Sequence, residues 1–174
     1  SELDSDKREK VERSKLMAEC LEGIFLYTRS WFGPTSHLFP TTRWDDYKHG
    51  VDMVAERRQG DLVNHHGFAL DVTYGGQKTV LKKMKRIADR IKDGKMGQVD
   101  FFKASDGKYK GQLGDIPLVV TGADGNTMKE LINIFAEGES FDSKLSDHPY
   151  QFQVIAGVIE QCDFYIEIAG QCTD

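Results

Sequence analysis

Two short stretches near the middle of the chain alternate between apolar and polar positions. In GVDMVAE (residues 50–56) every second residue is apolar, and Asp52 lies on the other side from them. GFALDVTYG (67–75) alternates in the same way around Asp71. Because a period of two is typical of β-strands, both stretches are predicted strands. The polar residues 57–66 between them predict a hairpin connection, so the two strands should be antiparallel neighbours.

In four other stretches, apolar residues recur with the period of an α-helix. It is strongest in residues 77–92, where apolar residues recur at i, i+4, i+7 and i+11. Helices are also predicted over 6–29, over 127–136 and from about residue 149 onward. In the last helix we expect five residues to form the stripe that faces the core. They are Phe152, Ile155, Ile159, Cys162 and Ile166.

The remaining segments complete the order of elements. Residues 30–44, with two prolines, predict an ordered loop, and 99–104 and 116–123 predict two further strands around a turn-rich connection. The order is therefore helix, strand, strand, helix, strand, strand, helix, helix. A hairpin followed by a helical crossover predicts an α/β fold with a mixed central sheet, flanked by helices.

Composition narrows the class of protein. A chain of 174 residues suits a single domain, 1–174, and its pattern indicates no boundary. The three cysteines are widely spaced, which does not suggest a disulfide framework. Residues 1–15 have no apolar core of a secretory signal, and the longest apolar stretch, near 152–169, is interrupted by acidic residues. We therefore expect a soluble, cytoplasmic protein that does not enter a membrane; the sequence does not indicate its oligomeric state.

The charge is unevenly distributed along the chain. The net charge of -5 weighs against broad, nonspecific binding to nucleic acid. Between Lys78 and Lys95, however, eight basic residues stand against two acidic ones. The predicted helix over 77–92 therefore presents either a solvated face or a surface for the phosphates of DNA or RNA. The candidate contacts are Lys82, Lys83, Arg86 and Arg90.

The two aspartates of the predicted hairpin suggest metal chemistry. Asp52 opens one strand and Asp71 lies near the end of the next, so an antiparallel hairpin brings their side chains together. Buried carboxylates are costly unless a positive charge compensates them. Mg²⁺ or Mn²⁺ prefers oxygen ligands and can activate water beside a phosphoryl group. We predict that Asp52, Asp71 and the carbonyl of Val72 bind such an ion.

The same residues resemble a known family. GVDMVAE followed by FALDVT is similar to the metal site of the PD-(D/E)XK nuclease superfamily, which has the restriction-endonuclease-like fold. The resemblance implies a core of helix, strand meander, helix and strand over residues 10–122, with a helical extension over 123–174 packed on it. It also implies metal-dependent hydrolysis of phosphodiesters. Asp52 and Asp71 take the places of the two motif acids, and Thr73 stands where the superfamily has a lysine.

The missing lysine decides between two hypotheses. Some members of the superfamily carry it on the helix after the motif strand, so Lys78 or Lys82 is predicted to complete the catalytic set with the two aspartates. A glutamate is also common on the first helix, and Glu19 and Glu22 both match. The first hypothesis is an active nuclease. The second is a catalytically inactive module of the same fold that binds nucleic acid or protein, as Thr73 and the acidic composition favour.

Other polar residues receive simpler interpretations. Glu56 is predicted to be an exposed charge at a strand end, although it shares the face of Asp52. Asp45 and Asp46 are interpreted as helix or turn acids before the first strand, with a turn favoured. His65 and His66 have no further ligand at zinc spacing, so they predict a polar loop. A third hypothesis, an unrelated α/β enzyme acting on a small molecule, requires a deep apolar pocket away from Asp52.

Overall fold

The computed structural model describes residues 2–33, 35–59, 62–64, 67–138 and 141–172, so His65 and His66 lie outside the described residues. The helices are α1 (Glu2–Tyr27), α2 (Arg43–His49), α3 (Gln77–Lys92), α4 (Gly125–Ala136), α5 (Phe141–Ser146) and α6 (Tyr150–Gly170), with a 3₁₀ turn at Arg29–Phe32. The strands are β1 (Ser36–Pro40), β2 (Met53–Gln59), β3 (Leu62–Asn64), β4 (Ala69–Tyr74), β5 (Gly97–Lys103), β6 (Lys110–Ile116) and β7 (Leu118–Ala123).

The central sheet is mixed, as the sequence predicts. Its order is β1-β2-β4-β7, and β3 pairs with the end of β2. The pairs β1–β2 and β2–β4 are antiparallel, whereas β4 and β7 are parallel. The connection from β4 to β7 passes through α3 and through a separate two-stranded sheet, β5–β6. The predicted fold class, a mixed α/β sheet flanked by helices, is confirmed.

The segment predicted as a loop over residues 30–44 holds two elements instead. Strand β1 pairs with β2 along its whole length, and only Leu38 of its five residues is buried. Helix α2 begins after Thr42, whose hydroxyl accepts the N–H of Asp45, and ends at Gly50 in a left-handed conformation with φ 66°. Short elements of this kind depend on pairing and capping, so hydrophobic periodicity does not reveal them.

The last helix buries a different face from the predicted one. Phe152, Ile159 and Ile166 are 67%, 56% and 69% exposed. The buried residues of α6 are Tyr150, Val154, Gln161, Tyr165 and Ile168. The helix is apolar around most of its circumference, so its sequence does not select a face. Packing against α3 and β7 selects it.

Gln161 is the polar residue at this packed face, and it binds the edge of the sheet. Its side-chain oxygen accepts the N–H of Val120 at 2.8 Å, and its nitrogen donates to the carbonyl of Val120 at 2.8 Å. The amide therefore pairs with β7 as a neighbouring strand would, which satisfies two buried backbone groups. In the described part of the chain, no helix combines the length and the apolar content needed to cross a membrane.

Candidate metal and nucleic-acid site

The pairing of β2 with β4 brings Asp52 beside Asp71. The strands pair with Met53 opposite Leu70, and the N–H of Asp52 donates to the carbonyl of Leu70 at 2.9 Å. Asp52 therefore lies next to the residue that follows Leu70, which is Asp71. Both side chains line one cleft. The structure thus brings together the two aspartates on which the sequence-based hypothesis depends.

The carboxylate of Asp52 is held by the backbone of β4. Its Oδ2 accepts the N–H of Val72 at 2.6 Å. Because β2 begins only at Met53, this side chain takes the N–H that a longer β2 would have paired. The N–H and C=O of one strand residue point toward the same edge. The carbonyl of Val72 therefore faces Asp52, and Val72 also lines the cleft.

A lysine of α3 neutralises the second aspartate. The ammonium of Lys83 donates a hydrogen bond to Oδ1 of Asp71, and both side chains are mostly buried. Burial raises the pKa of the Asp71 carboxyl, while the positive charges of Lys83 and Arg86 oppose that rise. Asp71 is therefore an acid with a cation already beside it.

The structure places Lys83, rather than Lys78 or Lys82, beside the acids. Lys78 and Lys82 are exposed on α3 and do not line the cleft, whereas Lys83 does. Lys83, Arg86 and Arg90 are spaced i, i+3 and i+7, so they follow one side of the helix next to its apolar stripe. That spacing was visible in the sequence. Lys83 was predicted only as a phosphate contact, and it takes the position beside the acids.

Among the described residues no lysine is bonded to Asp52, and the ionisation of Asp52 is strongly disfavoured. Burial raises its pKa to about 8, and the negative charges of Asp71 and Glu22 add to the rise, although the N–H of Val72 lowers it. Like charges held together in a partly dry cleft favour protonation or cation binding. The site therefore has an uncompensated negative charge whenever Asp52 is ionised.

Glu22 of α1 belongs to the same group of acids. Burial raises its pKa to about 7, and the charges of Asp46 and Glu19 contribute. Glu19 also lines the cleft, but it is exposed and lies 3.9 Å from the ammonium of Lys15. Of the two glutamates that match the superfamily pattern, Glu22 is the one that interacts with the aspartates.

The acids lie in a cleft of about 760 Å³ whose exposed rim is mostly basic, although Glu19 and Asp46 also line it. Its walls come from α1, α2 and α3. The basic residues that line it besides Lys83 are Lys15, Arg43, Lys48, Arg86 and Arg90. Of the predicted phosphate contacts, Arg86 and Arg90 thus reach the cleft and Lys82 does not. The guanidinium of Arg90 also donates to the carbonyl of Met96 at 3.0 Å, which ties α3 to the start of β5.

A second cluster, at the junction of α2 and β5, was not predicted. Asp45, His49 and Asp100 hold ligand atoms within 4.8 Å of one another; among the described residues theirs is the one such group of three, and Glu22, Asp52 and Asp71 do not form another. Asp45 is fully buried, and its two oxygens bind the N–H of Asp100 at 2.6 Å and the hydroxyl of Thr42 at 2.7 Å.

Hydrogen bonds explain why the side chains of this cluster lie close together, so their arrangement does not require a metal ion. Oδ2 of Asp100 lies 3.0 Å from Nε2 of His49 and also accepts hydrogen bonds from Trp44 and Lys48. The bond to His49, with those from Trp44, Gln98 and Lys48, holds the pKa of Asp100 well below its usual range. The cluster joins α2 to β5 and so supports one wall of the cleft. Asp45 and Asp46, predicted in a turn, lie in helix α2.

Glu56 was predicted to be exposed, and this is wrong. It is fully buried, and its carboxylate accepts the N–H of Ser105 at 3.1 Å. The β5–β6 hairpin covers this end of β2, which a strand alternation cannot reveal. Glu56 is not among the residues that line the cleft.

Comparison of the chain with protein-family models, with curated proteins and with solved structures gave no match, so the function of the cleft is interpreted from its own residues.

Proposed function

We propose that this protein is a metal-dependent nuclease that hydrolyses the phosphodiesters of DNA or RNA. The observation that carries the proposal is the pair Asp52 and Asp71, with Lys83 bonded to one of them, at the floor of a cleft with a basic rim. The order of α1, the meander β1–β2–β4, helix α3 and the parallel strand β7 agrees with what the PD-(D/E)XK resemblance implies. That order supports the proposal.

The donor set suits a hard divalent cation. Asp52, Asp71 and the carbonyl of Val72 offer oxygen ligands from adjacent positions, and burial together with the neighbouring acids raises the pKa of Asp52. We assign Mg²⁺ or Mn²⁺ to these three residues. When bound, such an ion would polarise water and neutralise charge on the phosphate. Glu22 is not assigned as a ligand of the ion, because the carboxylates of Glu22, Asp52 and Asp71 do not place three oxygens within 4.8 Å of one another.

The other residues of the cleft supply the remaining functions of a phosphodiesterase. Lys83 places a positive charge beside Asp71, where Thr73 has none to offer, and would stabilise charge on the scissile phosphate. Glu22, with a pKa of about 7, is suited to accept a proton from attacking water near neutral pH. Arg86 and Arg90 would bind flanking phosphates.

The second candidate is a catalytically inactive module of the same fold. It is favoured by two hydrogen bonds that occupy carboxylate oxygens without a metal ion. Oδ2 of Asp52 accepts the N–H of Val72, and Oδ1 of Asp71 accepts a hydrogen bond from the ammonium of Lys83. In that case the cleft would bind nucleic acid without cleaving it.

The third hypothesis, an unrelated α/β enzyme acting on a small molecule, gains little support. An apolar cavity does lie between α3 and α6, away from the acids, and is lined by residues that include Ile87, Leu118 and Tyr165. Its volume is about 150 Å³, whereas ligand pockets usually have about 300–1,000 Å³. A second apolar cavity, of about 470 Å³, is lined by residues that include Trp31, Phe68 and Ile155, but among the described residues no acidic or basic side chain lines it. We therefore place the function in the cleft.

The test is cleavage of labelled DNA and RNA oligonucleotides with Mg²⁺ or Mn²⁺. We expect Asp71→Ala to lose at least about 100-fold in rate, since loss of outer-shell partners of a metal already costs about 10–100-fold. Asp89→Ala is the matched control, because Asp89 is an exposed acid of α3 that does not line the cleft. Equal rates for wild type and Asp71→Ala would contradict the assignment. A folded wild type that binds oligonucleotides but cleaves none would favour the inactive module.

A further inference from the structure

The shape and lining of the cleft suggest the form of nucleic acid that it accepts. We propose that the cleft takes a single strand, one or two nucleotides at a time, and that Tyr47 stacks on a base at its rim. This inference rests on the proposed function in one respect only, that the ligand is a nucleic acid. Tyr47, the basic rim and the volume of the cleft carry the rest.

Tyr47 is exposed to an unusual degree for a large side chain. It lies on α2, lines the cleft and is 90% exposed, the highest value among the exposed large hydrophobic residues. The fold therefore gains almost nothing from burying its ring. An aromatic ring presented beside phosphate-binding cations is the arrangement with which proteins bind single strands, since every base has a face on which such a ring can stack.

The helix that carries Tyr47 is held firmly, which fixes the point from which the ring projects. The N-cap at Thr42 fixes the start of α2, and the bonds of Asp45 and Asp100 fix the helix to β5. Lys48, the next residue, donates to Asp100 and lies 5.1 Å from the centre of the Trp44 ring. A rigid support lowers the entropic cost of binding, because less of the protein has to become ordered.

The size of the cleft suits a single strand. Its volume of about 760 Å³ lies within the range of sites for small molecules, about 300–1,000 Å³. Such a volume suits one or two nucleotides, and because the aspartates are largely buried, we expect a single strand to reach them more readily than a double helix. A strand end or an unpaired segment reaches them without distortion.

The distribution of charge agrees with a nucleic acid that contacts the cleft through only two or three phosphates. Arg43 of α2 and Arg86 of α3 both line the cleft, together with the acids. Two or three such contacts match the phosphates on either side of one scissile bond. The net charge of -5 offers no broad basic surface for a duplex.

The experiment measures binding separately from cleavage. Fluorescence anisotropy, in EDTA to prevent hydrolysis, compares single-stranded DNA, single-stranded RNA and duplex DNA of equal length. We expect both single strands to bind more tightly than the duplex. Tyr47→Ala should weaken single-strand binding about 5- to 150-fold, the range that stacking of about 1–3 kcal/mol gives. Tyr47→Phe should retain binding, because it keeps the ring.

Phe152→Ala is the matched control, since Phe152 is an exposed aromatic of α6 that does not line the cleft. The affinity for single strands should fall with salt with a logarithmic slope of about -2, as expected for about three phosphate contacts. Duplex binding that equals or exceeds single-strand binding, an unchanged affinity in Tyr47→Ala, or no binding of any oligonucleotide would each overturn the inference. Tyr47-dependent binding without cleavage would leave the inference standing and refute nuclease activity. Cleavage confined to duplexes would support nuclease activity and refute the inference.

Discussion

Replacing Asp52 by asparagine should stabilise the protein in the absence of divalent cations. The substitution removes a charge and keeps the shape of the side chain. The amide oxygen of asparagine can still accept the N–H of Val72, which Oδ2 of Asp52 accepts at 2.6 Å. The variant therefore isolates the cost of the negative charge at this position from the value of the hydrogen bond.

The magnitude follows from the pKa of Asp52, which burial and the neighbouring acids raise from 3.8 to about 8. Asp52 ionises at a lower pH in the unfolded chain than in the folded protein. It therefore does not change the free energy of unfolding below about pH 4, and it destabilises the fold increasingly as the pH rises toward 8. At pH 7 the difference is roughly three pH units at about 1.4 kcal/mol each, an upper limit of about 4 kcal/mol. Relaxation of water around the site should leave about 2 kcal/mol, or about 4–8 °C in Tm for a domain of this size.

The assay is thermal and urea denaturation in EDTA across pH 4 to 9 for the wild type, Asp52→Asn and the exposed-site control Asp89→Asn. The difference between wild type and Asp52→Asn should be near zero at the acidic end and should grow up to about pH 8. Saturating Mg²⁺ or Mn²⁺ should reverse the order, since an ion at 100 times its Kd stabilises the wild type by about 2.7 kcal/mol. An Asp52→Asn protein that is less stable than wild type in EDTA at pH 7 would refute the reasoning.

Three further substitutions test other parts of the structure. Lys83→Met should reduce cleavage at least about 100-fold, whereas Lys82→Met, one residue away and outside the cleft, should leave the rate unchanged; equal effects in cleavage assays would contradict the assignment. Gln161→Leu should destabilise the fold by about 1–3 kcal/mol in urea denaturation, because two buried groups of Val120 lose their partner. Asp45→Ala should cost about 2–4 kcal/mol, since it removes buried bonds between α2 and β5, and a neutral result would contradict that role.

The sequence predicts those elements whose residues carry their own periodicity. Helix α3 lies at the predicted residues 77–92, because its apolar positions repeat strongly over more than four turns. Strands β2 and β4 lie near their predicted positions for the same reason. Strand β1 and helix α2 were missed, because a five-residue strand with one buried residue leaves almost no pattern. Their existence depends on pairing with β2 and on the cap at Thr42.

In the candidate site, too, local pattern identified some residues, whereas the placement of others depends on tertiary packing. Asp52 and Asp71 were identified because a hairpin relates their positions in the chain. Lys83 was assigned to a different role, since only the packing of α3 on the sheet determines which of its lysines faces the acids. The bond between Asp45 and Asp100 joins residues 55 positions apart. No local pattern predicts such a contact.

The central claim, that Asp52 and Asp71 form a site for a divalent cation, is tested most directly by calorimetric titration with Mn²⁺. Because burial and the neighbouring acids raise the pKa of Asp52 to about 8, binding of the ion at pH 7 should release protons. We predict binding of an ion with a heat that varies with the ionisation enthalpy of the buffer, and loss of that binding in Asp71→Asn. No binding by the folded wild type, or the same binding in Asp71→Asn, would contradict the account.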